Sequence, residues 1–599
     1  MTPVMHKTAV VLLLVVGVQL WLLIGRGQYG SAPRAMTFVA AIAVASLPPV
    51  YRRVAAALDR VRHFSASRRA VVALAVFLIA TPILYWTAAW QQRELFPKMH
   101  DEHMHLLQAQ MLARGRLWLP AHPAADSFES FHIHVKPAYA SMVFPGATLF
   151  HVPAVWLKLS YPVMPLVVAG ACVAMMYRVM AEVLDDDVLG LLAALMLCSL
   201  VQFRYVSTIT TSHAPMLLLG LAMTWAWLRW RRDRRLAWAA LIGLFAGWAA
   251  VTRPLDAMCY AIPIGLGVLW VMWREHFRAH RIATTLLGIL AGAMPFLVLQ
   301  LIFNVGVTGT WRESPYGRYL RTFSPQVTLG FHAVDPSIAP QTTLPQKLQY
   351  QQTYTLPATT AHRADRLWHV WTRERFPLMA TWSLPSEILL ILVPVGLLGL
   401  VISPRDRLPR LVLVMTLPLF IAAYALLAYL LVHYVVPITP GIFLCVLLGV
   451  HVIGETFAKA RPRLVTLLTT ILVILCLRGF PQFNRILRDD ALNFPAVRFN
   501  QQLPSMVERP ALVLYRFTGM TENVDDEPVY NVDVANPDEA PVVRAHERTP
   551  EQNRVLFRHY AAHQPARRVY LVDRSRVTEA GYRPQYLGRV DELVTAGTP

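Results

Sequence analysis

Residues 70–90 read AVVALAVFLIATPILYWTAAW, without a charge, and run directly into the polar stretch QQRELFPKMHDEHMHLL at 91–107. The first of these has the ~20 apolar residues that an α-helix needs to cross ~30 Å of hydrocarbon. Inside lipid every backbone amide needs a partner within its own segment, so the run is predicted to be a membrane helix. The second opens a segment outside the hydrocarbon, with a carboxylate pair just past the helix.

Other runs nearly or fully free of charge occur at 8–25, 282–303, 411–432 and 464–477. They account for a composition that is 55% hydrophobic and 15% charged over 599 residues, against ~25% charged in a soluble chain. The first run has only His6 and Lys7 before it, no small-x-small cleavage site after it, and a second apolar run at 35–50 behind it. A retained helix is expected there, not a removed leader.

Lys and Arg number 56, Asp and Glu 36, for a net charge of +20. The basic residues gather in short loops between apolar runs, at Arg52–Arg69, Arg229–Arg235, Arg274–Arg281, Arg405–Arg410 and Lys459–Arg463. Such clusters mark cytoplasmic loops and argue against a nucleic-acid partner. Threading helices between them gives about 13 spans: 7–25, 35–50, 70–90, 162–180, 188–205, 213–230, 236–252, 257–273, 282–303, 386–402, 411–431, 434–454 and 464–480. The N-terminus then lies inside, with every basic cluster on that side. Residues 144–158, short and bearing His151 and Pro153, must then lie at the interface.

The expected layout is therefore an all-α polytopic membrane protein. An N-terminal hairpin and cytoplasmic loop occupy 1–69, and a membrane domain 70–480 carries external loops at 91–161 and 304–385. An external tail spans 481–599. In the tail, strand-like runs at Ala511–Tyr515, Pro528–Val534 and Arg568–Val572 flank a helix-like stretch at Glu551–Ala562, which predicts a small α/β domain. The five cysteines, Cys172, Cys198, Cys259, Cys445 and Cys476, all sit in apolar runs without a CxxC pair. They offer neither a disulfide framework nor a thiolate metal site.

Asp101 and Glu102 stand at the predicted start of an amphipathic helix. Carboxylates there complement the helix dipole by ~0.3–1 kcal/mol, which suffices for a plain helix start. Beside a membrane surface, the same group is also placed to take a proton from a hydroxyl acceptor while a lipid-borne donor stays in the bilayer. Lys136 is a candidate cation for a phosphate, or a loop lysine meeting headgroups. Arg253 follows a membrane helix and costs a few kcal/mol in hydrocarbon unless partnered. The partner is Asp256, a headgroup, or the phosphate of a lipid donor, which a guanidinium fork matches. His433 and Tyr434 mark another helix end. His100, His103, His105, His122, His132 and His134 are dense around the acidic pair, but no HExxH or other zinc spacing is present, and neither a metal nor another cofactor is expected.

The order of these features resembles the first external loop of the GT-C membrane glycosyltransferases. It runs as a membrane helix, Asp101-Glu102, a helix ending Gly115-Arg116-Leu117-x-x-Pro120, then Lys136-Pro137 and an interfacial helix. That group includes the protein O-mannosyltransferases and the aminoarabinose transferase of lipid A. A set of bacterial GT-C-like membrane proteins is similar over most of the chain, through Thr252-Arg253-Pro254-Leu255-Asp256-Ala257, Asn304-x-x-Val307-Thr308-Gly309 and Val529-Tyr530-Asn531. The resemblance implies an inverting transfer from a polyprenyl-phosphate-linked sugar to a glycan, lipid or protein acceptor at the outer face of a bacterial inner membrane. Asp101 would be the base with Glu102 beside it, and Lys136 and Arg253 would meet the donor phosphate. His132, His134, Tyr139, Asp256, His433 and Tyr434 would be substrate contacts. Two departures stand out: Phe144-Pro145 replaces a Pro-Pro, and 206–212 lacks the second acid of the aminoarabinose-type enzymes.

The alternatives are a transporter or lipid flippase, or a non-catalytic envelope-assembly protein. Transport predicts charges near mid-membrane and two similar halves, and neither is visible. No residue pattern excludes the assembly role.

Overall fold

The computed structural model describes residues 3–25, 31–335, 337–402, 406–457, 463–478, 480, 493–517, 519, 523–575 and 582–595. The helices up to residue 308 are α1 (Pro3–Gly25), α2 (Ser31–Ser46), α3 (Pro48–Val61), α4 (Ala66–Trp90), α5 (His100–Ala113), α6 (Pro145–Leu149), α7 (Val152–Trp156), α8 (Val163–Leu184), α9 (Asp187–Ser199), α10 (Val201–Val206), α11 (His213–Asp233), α12 (Leu236–Ala250), α13 (Pro254–Arg274) and α14 (Ala279–Thr308). Every predicted span overlaps a helix. Among the described residues seven helices are long and apolar enough to cross a membrane, or up to nine if each bent pair is one span. Three more, α9, α12 and Leu464–Arg478, are apolar but shorter. The remaining predicted span is α11, whose arginine-bearing end lowers its apolarity.

Several boundaries differ from expectation. The predicted span 35–50 and the loop after it are a bent helix pair, α2 and α3, turning by 80°. Pro48 and Pro49 stand at the start of α3, where a missing N–H costs nothing. The predicted span 188–205 breaks at Leu200 into α9 and α10. The span 411–431 stops being helical after Ala425, and 434–454 begins as a 3-10 turn over Val432–Ile438. Residues 144–158 form only the short α6 and α7, as the interfacial reading requires.

Ion pairs gather the basic clusters at one end of the bundle. Arg69 grips Asp187 at 2.9 Å, Arg229 pairs with Glu182, Arg231 with Asp406 at 2.6 Å, and Arg234 with Glu275. Arg463 lies over the Tyr51 ring, 5.3 Å from its centroid, which joins the last cluster to the first. Arg405, Lys459 and Arg461 fall outside the described residues.

At the opposite end lies a loop face, where 91–161, 304–385 and the tail assemble. The first loop holds three short strands, β1 (Leu119–Pro120), β2 (Ile133–His134) and β3 (Ala138–Ser141), and the tail holds a four-stranded sheet of order β5-β4-β6-β7, with β4 (Ala511–Arg516) parallel to β5 (Val542–His546) and β6 (Arg568–Asp573), and β7 (Gln585–Arg589) antiparallel to β6. Successive side chains on a strand face opposite sides, and on β4 both sides are buried. Ala511, Val513 and Tyr515 pack with the helix Pro495–Met506. Leu512 and Leu514 share a core with Leu107, Met111, Phe128, Ile133 and Tyr139 of the first loop. The tail sheet and that loop are thus one packed unit.

The predicted strand Pro528–Val534 is not a strand. The Asn531 amide side chain takes the place of one, accepting from the Arg544 N–H at 2.9 Å and donating to its carbonyl at 2.9 Å, which satisfies the edge of β5. The five cysteines are free and buried.

Candidate active site

α5 carries the acidic pair, and its two carboxylates have different surroundings. Glu102 is the third residue of the helix, buried, and accepts from the Met99 N–H at 3.1 Å and the Lys98 N–H at 3.2 Å. It also accepts from the Tyr161 hydroxyl. Those bonds satisfy amides that a helix start leaves unpaired. Asp101, by contrast, has a side chain 47% exposed, with the His132 ring 3.3 Å away. α5 was expected to be amphipathic, but it is buried on nearly all sides, between α6 and α7 and the tail.

His132 is held at φ +61°, a left-handed conformation that a non-glycine residue adopts at a cost of ~1–2 kcal/mol. Its N–H donates to the Tyr319 hydroxyl at 2.9 Å, and its carbonyl accepts from the Met142 N–H at 2.9 Å. Strain held in this way tends to mark functional positions. Desolvation by the surrounding protein works to raise the pKa of the half-exposed Asp101 carboxyl, yet His132, then His105 and His433, outweigh it and hold the group well below the usual carboxylate range. His105 responds oppositely: burial pushes it down to about 4, against the pull of Asp101, and the charge of Arg253 adds to the depression. Through these couplings the charges of Asp101 and Arg253 both reach His105 and His433.

Arg253 immediately precedes α13, at the end of a membrane helix. Its Nε donates to Asp256, its Nη1 to Ser212 Oγ at 3.1 Å, and its Nη2 to the Tyr424 hydroxyl at 2.9 Å. The guanidinium lies 4.8 Å from the Tyr434 ring centroid. Asp256 is buried and also accepts from Tyr424 at 3.0 Å. Gly146 helps to set this corner: its N–H donates to the Val251 carbonyl at 2.7 Å, and an added Cβ would overlap Val251 and Thr252. His433 and Tyr434 both pack on His213, with centroids 4.4 and 5.4 Å from its ring.

The structure pairs Asp101 with His132 and groups Arg253, Asp256, His433 and Tyr434, with His433 feeling the charge of Asp101 across the two groups. It does not bring Lys136, His134 or Tyr139 to them. Lys136 is exposed and pairs with Asp126 at 2.6 Å, on the side facing the tail. His134 is bonded to the Pro315 carbonyl at 2.9 Å, and Tyr139 belongs to the core shared with the tail.

Sequence reasoning missed several contributors. His213 is 1% exposed, and neither ring nitrogen has a hydrogen-bond partner among the described residues. A lone histidine opening an apolar helix was the available signal. Tyr319 and Tyr350 come from the second loop, and Asp525 and Tyr530 from the tail. Asp525 lies 3.2 Å from His100 Nε2, and the Tyr530 hydroxyl is 2.9 Å from His100 Nδ1.

Among the described residues one group has ligand atoms close enough for a metal ion: His122, Asp538 and His559. It joins the first loop to the tail and lies outside the group around Asp101. His122 Nδ1 accepts from the Ala124 N–H at 2.9 Å, so its proton sits on Nε2 and donates to Asp538 at 3.1 Å. With Tyr560 donating to the same carboxylate at 2.7 Å, the group is arranged as a hydrogen-bonded latch.

A search of curated proteins finds no match to the chain. Among solved structures, ArnT from Cupriavidus metallidurans bound to undecaprenyl phosphate is similar at 12% identity and a TM-score of 0.47, over 85% of this chain and 93% of that one. The apo state of ArnT gives 13% and 0.44 over the same shares. The arabinofuranosyltransferase AftD from Mycobacteria gives 16% and 0.35, over 90% of this chain and 37% of that one. Residues 157–299 match the family model for dolichyl-phosphate-mannose-protein mannosyltransferase. Ser212, His213, Arg253 and Asp256 lie within the matched segment.

Proposed function

We propose that the chain is a membrane glycosyltransferase of the GT-C type, moving a sugar from a polyprenyl-phosphate donor to an acceptor at the loop face with inversion of the anomeric carbon. The observation that carries this reading is that His105 and His433 feel the charges of both Asp101, delivered by an external loop, and Arg253, delivered by the end of a membrane helix. The family segment at 157–299, whose description names a dolichyl-phosphate-mannose donor, supports the donor class.

Three of the five guanidinium N–H groups of Arg253 are taken by Asp256, Ser212 and Tyr424. Two remain for a phosphate. As the sugar–phosphate bond breaks, charge gathers on the departing phosphate, and a fixed cation stabilises that change without reorganising. Asp101, ionised throughout the working pH range, accepts the acceptor hydroxyl proton as the new bond forms. His132 orients it. Lys136 has no part in this reading, and Glu102 serves as the helix cap. No metal is required, because Arg253 supplies the positive charge. The acceptor is a glycan, lipid or protein, and the loop face is the outer side of a bacterial inner membrane.

The test is transfer by the purified full-length protein in nanodiscs, supplied with labelled polyprenyl-phosphate sugars. Asp101→Asn should lower turnover by ~10²–10⁴-fold, with donor binding retained. Near-normal turnover by that variant would remove Asp101 as the base.

A further inference from the structure

The basic end carries a groove that the chemistry of the loop face does not use. It lies between the second half of α13 and the helix Leu408–Val414, with a volume of about 960 Å³. Its walls are apolar and open: Leu266, Trp270, Leu411 and Met415 are 61%, 48%, 43% and 44% exposed. Arg274 and Arg407 stand at its mouth.

Depth and charge both point to one kind of occupant. Along α13 the lining runs from Pro263 to Arg274, which at 1.5 Å per residue is ~16 Å of helix. That is about half of a ~30 Å hydrocarbon core, the depth of one leaflet. Arg253 precedes the other end of the same helix, so the groove opens in the leaflet opposite the candidate active site. Around the mouth, Arg231 is paired with Asp406 and Arg234 with Glu275. Arg274 is exposed and enters no ion pair among the described residues, and Arg407 adds a further positive charge. Trp270 and Trp273 flank the mouth, at the level where tryptophan favours the headgroup region.

From this we propose that the groove between α13 and Leu408–Val414 is a binding site for one anionic phospholipid, its phosphate at Arg274 and Arg407 and an acyl chain along Leu266 and Leu411. A basic mouth above an apolar channel one leaflet deep matches a phosphate headgroup joined to a chain of leaflet length.

Native mass spectrometry of the full-length protein in detergent tests this, with phosphatidylglycerol and phosphatidylcholine of identical chains as probes. One phosphatidylglycerol should be retained preferentially, by about fivefold for each arginine engaged, given ~1 kcal/mol per basic residue near an anionic surface. Arg274→Gln with Arg407→Gln should bring the two lipids to equal retention. Leu266→Trp, which fills the channel and keeps the charge, should reduce retention of both. Both arginines are exposed, and an unchanged unfolding temperature in lipid-free detergent confirms that the variants fold. Equal retention of the two lipids by the unaltered protein, or a preference that neither variant moves, would identify ordinary annular lipid and overturn the proposal. Displacement of phosphatidylglycerol by equimolar polyprenyl phosphate would overturn the phospholipid assignment.

Discussion

Glu102 accepts two backbone N–H groups at the start of α5, while its neighbour Asp101 is half-exposed with His132 at 3.3 Å. Substitution at the two positions should therefore separate stability from chemistry. Glu102→Gln keeps an acceptor but loses the charge toward the Tyr161 hydroxyl, so it should lower the unfolding temperature while turnover per folded molecule changes little. A turnover loss as deep as that of Asp101→Asn, in protein of normal stability, would return Glu102 to the chemistry. Arg253 allows a second separation. Arg253→Lys should recover only part of the turnover lost in Arg253→Ala, because an ammonium cannot bond Asp256, Ser212 and Tyr424 while also presenting a fork to phosphate. If Arg253 served only to neutralise buried Asp256, replacing both by neutral residues would restore activity, and that rescue would end its assignment to the donor. Turnover should also survive exhaustive chelation; a loss reversed by Mn²⁺, Mg²⁺ or Zn²⁺ would make Asp101 a ligand instead of a base.

At the scale of elements, α5 and its surroundings hold a set of imidazoles buried in the neutral form. Burial pushes His103 and His151 down to about 3, and His134 and His546 down to about 4, as it does His105. In the unfolded chain the same groups bind protons near pH ~6.5. Between those values the unfolded state binds more protons, so stability rises with pH across that interval. The loop–tail unit should be at full stability above pH ~6.5 and lose it progressively as pH falls toward ~4. Asp538, which His122 and Tyr560 hold below the usual carboxylate range despite burial, acts in a lower window and fails only as pH drops further. Hydrogen exchange of 91–161 and 495–595 across this range checks the order; protection unchanged from pH 7 to 4.5 would contradict it. The same unit explains Tyr530, whose hydroxyl bonds both His100 and the Phe131 carbonyl at 3.1 Å. Tyr530→Phe leaves buried polar atoms unpaired, at ~1–3 kcal/mol.

At the scale of the whole molecule, ion pairs draw the basic clusters to one end and leave Asp101, Arg253 and the tail at the other. The expected topology follows: cysteine labelling at Arg278 should report the cytoplasm, and labelling at Glu551 in the tail should report the opposite side. Finding Glu551 in the cytoplasm would remove the geometry on which an external sugar transfer depends. Because Asp525 and Tyr530 hold the His100 ring next to Asp101, a chain cut before the tail should also lose turnover even if its membrane helices assemble.

The sequence by itself determined the membrane helices and the gathering of basic loops at one end, and it singled out Asp101 and Arg253 as candidates. Each of these follows from local physics: apolar length against bilayer thickness, loop charge against membrane sidedness, and the cost of an ion near hydrocarbon. Three strands or helices of the tail were legible for the same reason, since period and composition are local. Only the tertiary structure decided which of the neighbouring carboxylates was available, because capping depends on where the Lys98 and Met99 amides point. It likewise sent Lys136 to Asp126 instead of the site, replaced the predicted strand at 528–534 by the side chain of Asn531, and brought His213, Tyr319 and Asp525 to the site from three separate segments. Those outcomes depend on contacts between residues far apart in the chain, and neither spacing nor composition carries that information.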